Sequence, residues 1–127
     1  MPRTGHNGEG APVLGPYSRA AESEGMVYFS GQTPVDPNTG KLVCDDISVQ
    51  AEQCFANLFR VLKSAGLEER DVVKVNVYMT GMGNFAAMNE VYKKQFSLPY
   101  PARTTIGVKE LPLGAMIEIE MIAVRKR

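Results

Sequence analysis

The stretch that decides the fold is Met116-Ile117-Glu118-Ile119-Glu120-Met121-Ile122-Ala123-Val124, which has the alternation of a buried β-strand. Successive side chains of a strand point to opposite faces, so Glu118 and Glu120 share one face, roughly 7 Å apart. The other face is apolar and consists of Ile117, Ile119, Met121 and Ala123. Since Met116 and Ile122 flank the two carboxylates, we expect their face to be covered, and a covered charge needs a partner or a function.

Arg103 is the cation that the sequence offers to these carboxylates. It opens a second strand-like run, Arg103-Thr104-Thr105-Ile106-Gly107-Val108. A pairing between Arg103 and the carboxylate face is therefore the first candidate for a chemical centre. From the residues alone, a structural ion pair at a subunit contact is an equal alternative, because structural networks also bury charges.

Composition limits the classes of protein that the chain can belong to. Its 127 residues predict a single domain, residues 1–127, with no room for a separate cofactor module. Lys and Arg together number 14, as do Asp and Glu, so the net charge of zero argues against binding RNA or an anionic membrane. No apolar run approaches the ~20 residues of a membrane span. The first ten residues are polar and Gly-rich, which predicts no signal peptide and a cytoplasmic protein.

Cysteine and histidine are too few for several kinds of site. Cys44 and Cys54 lack the spacing of a zinc site or a disulfide framework. Cys54 falls on the apolar side of a predicted helix, which favours a buried thiol, whereas Cys44 lies at a strand end and is open to exposure. The single histidine, His6, lies in the N-terminal segment, which a Cys-His or Ser-His-Asp arrangement would have to recruit. These residues therefore predict no zinc site and no disulfide framework.

The remaining pattern predicts strands in pairs separated by helices. The predicted elements are strands at 26–30, 41–43 and 72–79, a long helix from Asp45 or Asp46 to Gly66, and a second helix capped by Asn84. Residues 1–10 are expected to form a loosely ordered tail. This order gives an α+β fold, a single mixed β-sheet with two α-helices packed on one face.

Sorting the strand residues by face predicts a further property of the sheet. The face toward the helices would collect Val73, Val75, Val77, Ile106, Val108, Ile117, Ile119 and Met121. The open face would collect Lys74, Asn76, Tyr78, Arg103, Thr105, Glu118 and Glu120, together with Met116, Ile122 and Val124. Such a mixed polar and apolar face favours association with other copies of the chain.

Several motifs in one order carry a resemblance to a known family. They are Gly15-Pro16-Tyr17-Ser18, Ser30-Gly31-Gln32, Gln50, Asn57-Leu58, Asn89 with Tyr92, Pro101-Ala102-Arg103 and Glu118-Ile119-Glu120. Together they resemble the reactive intermediate deaminase A family, also called RidA or YjgF, over nearly everything from residue 11 to residue 124. The resemblance implies a chorismate-mutase-like fold and a homotrimer with a barrel-like centre and ligand clefts between subunits.

The resemblance also implies an activity and a substrate class. The family hydrolyses reactive enamines and imines such as 2-aminoacrylate and 2-aminocrotonate to 2-keto acids and ammonia, without a metal or organic cofactor. Arg103 would hold the substrate carboxylate, because the paired donors of a guanidinium match it bidentately. Glu120 would direct the water that attacks the imine carbon and then help to protonate the departing nitrogen.

Four more residues are assigned by the resemblance. Ser30 and Asn89 would hydrogen-bond within the cleft, the backbone at Thr105 would hold a carboxylate oxygen or the nitrogen, and Tyr17 would close over the ligand. The simpler alternatives are that Ser30 ends a strand and that Tyr17 is a packing anchor at a turn. Glu118 is expected to be structural.

Two other functions are kept as alternatives. Some members of the family are described as endoribonucleases that inhibit translation. Others are described as non-catalytic proteins that bind small molecules and regulate.

Overall fold

A single six-stranded sheet organises the part of the chain that the computed structural model describes, residues 2–8, 13 and 15–126. Its strands are Thr4–His6 (β1), Ala20–Ser23 (β2), Met26–Gln32 (β3), Val72–Met79 (β4), Ala102–Gly107 (β5) and Ile117–Val124 (β6). The same residues form the α-helices Ile47–Ser64 (α1) and Phe85–Tyr92 (α2). The strand order is β1-β2-β3-β6-β4-β5, with β5 parallel to β4 and the other neighbours antiparallel. The predicted α+β fold is confirmed.

Helix α1 forms where the sequence predicts it, because both of its ends carry the expected signals. The Oδ1 atom of Asp46 accepts a hydrogen bond from the backbone N–H of Val49 at 3.0 Å, which caps the N-terminus. Gly66 follows the helix with φ +77°, a conformation that suits glycine and stops the helix. The buried face consists of Ile47, Gln50, Ala51, Cys54, Phe55, Asn57, Leu58, Val61 and Leu62. Among the described helices, none is long and apolar enough to cross a membrane.

The core lies between the two helices and the inner face of the sheet. The sheet contributes Val75, Val77, Ile117, Ile119 and Met121, all buried. Phe55 of α1 packs edge-on against Tyr92 and Phe96, with ring centroids 5.7 and 5.8 Å from its own. Burying side chains of this size stabilises a fold by about 1.5–3 kcal/mol each. This burial fixes which face of each central strand points inward.

Strand β5 has the opposite face assignment to the one that the sequence predicts. Arg103 lies in register with Val75, and Thr105 with Val77, so both point toward the helices. Ile106, predicted to point inward, is 44% exposed. The prediction assumed that the apolar side chains of every strand enter the core. As the edge strand, however, β5 is covered by the short helix α2, and a guanidinium can stack there on aromatic rings.

Val73 also departs from its predicted face. The ladder between β4 and β6 shifts register between Val72 and Lys74, and such an irregularity moves a residue out of alternation. Val72 takes the buried position, whereas Val73 is 45% exposed.

The N-terminal segment contributes an edge strand where the sequence predicts a loose tail. Strand β1 pairs with β2, and the Nε2 atom of His6 lies 2.9 Å from the Oε1 atom of Glu22. The guanidinium of Arg125 donates to both oxygens of Glu22, at 2.7 and 2.9 Å, and to the carbonyl of Ala65 at 2.7 Å. Charged groups around Glu22 therefore tie β1 to the end of α1 and to the segment after β6. Residues 1, 9 and 10 of the predicted tail lie outside the described residues.

The two cysteines lie in different environments. Cys54 is buried in α1 with its Sγ atom 3.8 Å from the carbonyl oxygen of Ile117, and burial raises the pKa of its thiol. Cys44 is exposed just before the helix. This difference matches the sequence-based expectation.

Candidate active site

Arg103 stands at the start of β5 in a cradle that helix α2 provides. Its Nη1 atom donates a hydrogen bond to the Oδ1 atom of Asn89 at 2.6 Å. Its guanidinium carbon lies 4.5 Å from the ring centroid of Tyr92 and 5.5 Å from that of Phe85. The amide and the rings fix the plane of the guanidinium while leaving other N–H groups for a ligand. Asn89, in the middle of helix α2, therefore orients Arg103. The sequence around Asn89 does not reveal this role.

A cavity of about 380 Å³ opens beside this arginine. Its lining consists of Asn89, Tyr92, Lys93, Tyr100, Pro101 and Arg103. Thr105 lies farther along β5, and its Oγ1 atom is buried without a hydrogen-bond partner in the described part of the chain. The same is true of the hydroxyl of Tyr92, and burial raises the pKa of that hydroxyl to about 12. The region offers a fixed cation and neutral polar atoms, which suits a small carboxylate.

A larger cavity, of about 710 Å³, contains the other part of the predicted site. Tyr17, Ser30, Gly31 and Glu118 all line it. The Oγ atom of Ser30 donates to the carbonyl oxygen of Ser18 at 2.7 Å, which anchors the segment before β2 to β3. The side chain of Tyr17 is half exposed at the cavity wall.

Glu118 is the carboxylate of this cavity, although sequence reasoning treated it as structural. It is half buried, and burial raises its pKa, with a smaller contribution from the charge of Glu120. Gly31 makes room for it, because a Cβ atom at that position would lie 2.6 Å from its Oε2 atom. A carboxyl group with a raised pKa in a cavity is suited to exchange protons with a ligand.

Glu120 has a different environment and lines neither cavity. Its Oε2 atom accepts hydrogen bonds from the hydroxyl of Tyr78 at 2.8 Å and from the Nδ2 atom of Asn76 at 3.0 Å. Burial and the hydrogen bond to Glu120 raise the pKa of Tyr78 to about 12, so the hydroxyl keeps its proton at neutral pH. The open face of the sheet thus holds Glu120 in a polar cluster.

The structure divides the predicted site residues into two groups. Tyr17 and Ser30 lie together near Glu118, while Arg103 and Asn89 lie together at the β5 edge. Strands β6 and β4 separate β3 from β5, which corresponds to about 14 Å at the usual strand spacing. Arg103 points to the helices and Glu120 to the open face, so the predicted pair does not form within one chain.

The described part of the chain is a small α+β protein with two cavities that can hold small molecules. The chain matches the endoribonuclease L-PSP family over residues 8–125. It belongs to this family, the RidA or YjgF family that its motifs resemble.

Three similar proteins show how close the chain is to other members of this family. The chain is 46% identical over 118 residues to a RutC family protein of Aquifex aeolicus, covering 91% of this chain and 94% of that one. It is 42% identical over 111 residues to a 2-iminobutanoate/2-iminopropanoate deaminase of Dermatophagoides farinae, covering 87% of each. The crystal structure of E. coli TdcF with bound serine superposes with a TM-score of 0.89 at 36% identity, covering 97% of this chain and 99% of that one. The family thus includes imine deaminases.

Proposed function

We propose that this protein hydrolyses 2-imino acids and their enamine tautomers, such as 2-aminoacrylate and 2-aminocrotonate, to 2-keto acids and ammonia. The observation that carries the proposal is the oriented guanidinium of Arg103, held by Asn89 and stacked on Tyr92 at the wall of a cavity. The paired donors of such a fork match the two oxygens of a carboxylate. The name of the Dermatophagoides farinae relative and the serine bound to TdcF, an amino acid with a carboxylate, support the same substrate class.

The complete site forms between copies of the chain in a homotrimer. One copy supplies the Arg103 region at its β5 edge, and its neighbour supplies the cavity with Tyr17, Ser30 and Glu118. Two observations support this arrangement. The two groups of residues lie at different strands of one sheet, and the open face of that sheet carries apolar side chains such as Tyr28, which is 51% exposed.

The reaction needs little more than positioning and one proton carrier. Arg103 binds the carboxylate, and the imine carbon faces a water molecule that Glu118 orients. The water adds to the imine carbon while the carboxylate takes its proton. The same group gives this proton to the nitrogen, then takes the proton of the new hydroxyl group and passes it to the nitrogen as well. The C–N bond breaks, ammonia leaves and the carbonyl of the keto acid forms. Imines already react with water, so holding the two partners together supplies much of the acceleration.

The proposal gives Glu118 the role that the sequence predicts for Glu120. Glu118 lines the cavity and has a raised pKa, whereas both donors around Glu120 are directed at a single oxygen. Ser30 and Tyr17 form the walls of the cavity. Thr105 remains a backbone contact for the substrate.

A coupled assay tests the proposal. A serine dehydratase generates 2-aminoacrylate, lactate dehydrogenase reports pyruvate, and the rate is compared with and without this protein. We expect acceleration that Arg103→Ala and Glu118→Gln each reduce about 100-fold, and that Glu120→Gln reduces much less. No acceleration by the wild-type protein would contradict the deaminase function, and full activity of Arg103→Ala would contradict the role given to Arg103. The reverse order of the two glutamate variants would return the role to Glu120.

The same preparations test the two alternatives. Labelled RNA incubated with the wild-type and Glu118→Gln proteins reports the endoribonuclease activity that the family description names. With no net charge on the chain, we expect RNA to bind weakly, and cleavage that Glu118→Gln loses would support the endoribonuclease alternative. Saturable binding of a keto acid without acceleration would instead indicate a regulatory protein.

A further inference from the structure

The cavity around Glu118 is larger than a small imino acid requires. Its volume of about 710 Å³ falls in the range of about 300–1,000 Å³ that holds drug-sized ligands. 2-Iminopropanoate has only a methyl group beyond its reacting carbon and carboxylate. Within one chain, space therefore remains for a longer substrate side chain.

Two arginines, Arg60 and Arg19, line this cavity. Arg60 lies on α1, one turn beyond Asn57, whose amide nitrogen donates to the carbonyl oxygens of Thr33 and Val35 at 3.2 and 2.9 Å. Those two bonds fix the helix against the segment that follows β3. Arg60 is thereby set at the wall of the cavity by a buried polar anchor.

Arg19 lines the same cavity. Its carbonyl oxygen accepts a hydrogen bond from the backbone N–H of Ser30 at 2.8 Å, so it is directly beside a proposed substrate contact. Its Nη1 atom donates to the carbonyl oxygen of Asn7 at 2.9 Å, which steadies the guanidinium without neutralising it.

The charges of the cavity favour an anionic side chain on the ligand. Arg19 and Arg60 are two cations, and Glu118 is the carboxyl group among the lining residues. In the described part of the chain, neither arginine forms an ion pair, and the contact of Arg60 with the Oδ1 atom of Asn57 is long, at 3.4 Å. Guanidinium groups that form no ion pair with the described residues offer paired donors to a carboxylate of a ligand.

We propose that the site prefers imino acids with a second carboxylate, of the kind that acidic amino acids give, and that Arg60, supported by Arg19, binds this distal group. The inference rests on the proposed function and names the substrate class of the same site. Arg103 binds the carboxylate next to the imine, and the arginines of the large cavity bind the other.

The first experiment measures binding and needs no turnover. 2-Oxoglutarate and 2-oxobutanoate are titrated into the protein by calorimetry, as stable dicarboxylate and monocarboxylate probes. We expect 2-oxoglutarate to bind more tightly, and Arg60→Gln to reduce its preference over 2-oxobutanoate about tenfold. Lys63→Gln, an exposed change on the same helix, is the matched control and should leave the preference unchanged. An equal loss for both ligands, or no effect of Arg60→Gln, would overturn the proposal.

The second experiment measures hydrolysis of two imines generated in place by amino-acid oxidases, 2-iminosuccinate from aspartate and 2-iminopropanoate from alanine. We expect a higher kcat/KM for 2-iminosuccinate, lost in Arg60→Gln. If the protein accelerates the hydrolysis of 2-iminopropanoate alone, the proposed function stands and this inference fails. If the protein accelerates the hydrolysis of neither imine but its binding of 2-oxoglutarate depends on Arg60, the deaminase function fails and the dicarboxylate site stands.

Discussion

Gly31 lies where a side chain would collide with the carboxylate of Glu118. A Cβ atom there would be 2.6 Å from the Oε2 atom, closer than such contacts occur, so one of the two groups has to move. Displacing a reacting group by about 1 Å can reduce a rate about 100-fold. We therefore expect Gly31→Ala to lower deaminase activity by at least about tenfold.

The control for this change is Gly83→Ala. A Cβ atom on Gly83 would meet nothing within 4 Å. The Gly83→Ala variant should therefore be as active as the wild-type protein in the same coupled assay. Equal activity of the two variants would mean that the position of Glu118 does not limit the rate.

The roles of the two glutamates of β6 could not be assigned from the sequence of that strand alone. Residues 118 and 120 share a face by alternation alone, and the resemblance gave the catalytic role to Glu120. Two features of neighbouring strands separate them: Gly31 beside Glu118, and Asn76 with Tyr78 beside Glu120. These contacts depend on register across the sheet, which one strand does not encode.

Helix α1 is the element whose stability is simplest to test. Asp46→Ala removes the side-chain acceptor for the N–H of Val49 and leaves that donor to water. We expect it to lower the free energy of unfolding by about 1 kcal/mol, as loss of an N-cap does. Urea unfolding measures the change.

Asp45→Ala is the matched control, because it removes an adjacent exposed carboxylate that does not cap the helix. The sequence left the cap open between these two residues. A larger loss of stability in Asp45→Ala would contradict the capping assignment.

The elements differ in how far the sequence could define them. Helix α1 carries a cap, a regular apolar stripe and a terminal glycine, so its signals agree and its prediction is confirmed. Strand β6 alternates without exception and is confirmed too. Strand β5 was assigned the wrong face, because an edge strand under a short helix has no continuous core to impose alternation. Its arginine points to α2, where Tyr92 and Asn89 receive it.

For the molecule as a whole, we expect acid to weaken the contacts by which Glu22 joins β1 to the end of α1 and to the segment after β6. The Arg125 guanidinium is the main cause of the low pKa of Glu22, about 2 against an ordinary 4.5, and His6 adds to the effect. A carboxylate with a lowered pKa stabilises the fold above its unfolded pKa, and this stability is lost as the pH falls through the folded value. We expect the free energy of unfolding to decrease between about pH 4.5 and pH 2.

Glu22→Gln serves as the comparison for this pH dependence. It should be less stable than the wild-type protein at pH 7, and the difference should shrink as the pH approaches 2. A constant difference between the two proteins across this range would contradict the role given to the Glu22 carboxylate. Unfolding in urea at a fixed protein concentration measures both.

The proposed trimer has its own test on the open face of the sheet. Ile122 lies in register with Tyr28 on that face, so Ile122→Lys places a charge where copies would meet. We expect the variant to sediment as a smaller species than the wild-type protein and to lose activity. Val49→Lys, a change at an exposed position of α1, is the control. A monomeric wild-type protein with full activity would refute the shared site.

Because Cys44 is exposed and Cys54 is buried, the chain has a single accessible thiol among its two cysteines for attaching a label. The thiol of Cys54 is enclosed in the core, and burial keeps it protonated, so a maleimide dye would react at Cys44 alone while the protein is folded. A fluorophore could therefore be placed just before α1 without mutating any residue. Mixing donor-labelled and acceptor-labelled protein would then follow the exchange of chains between oligomers by energy transfer, and reaction of Cys54 would report unfolding.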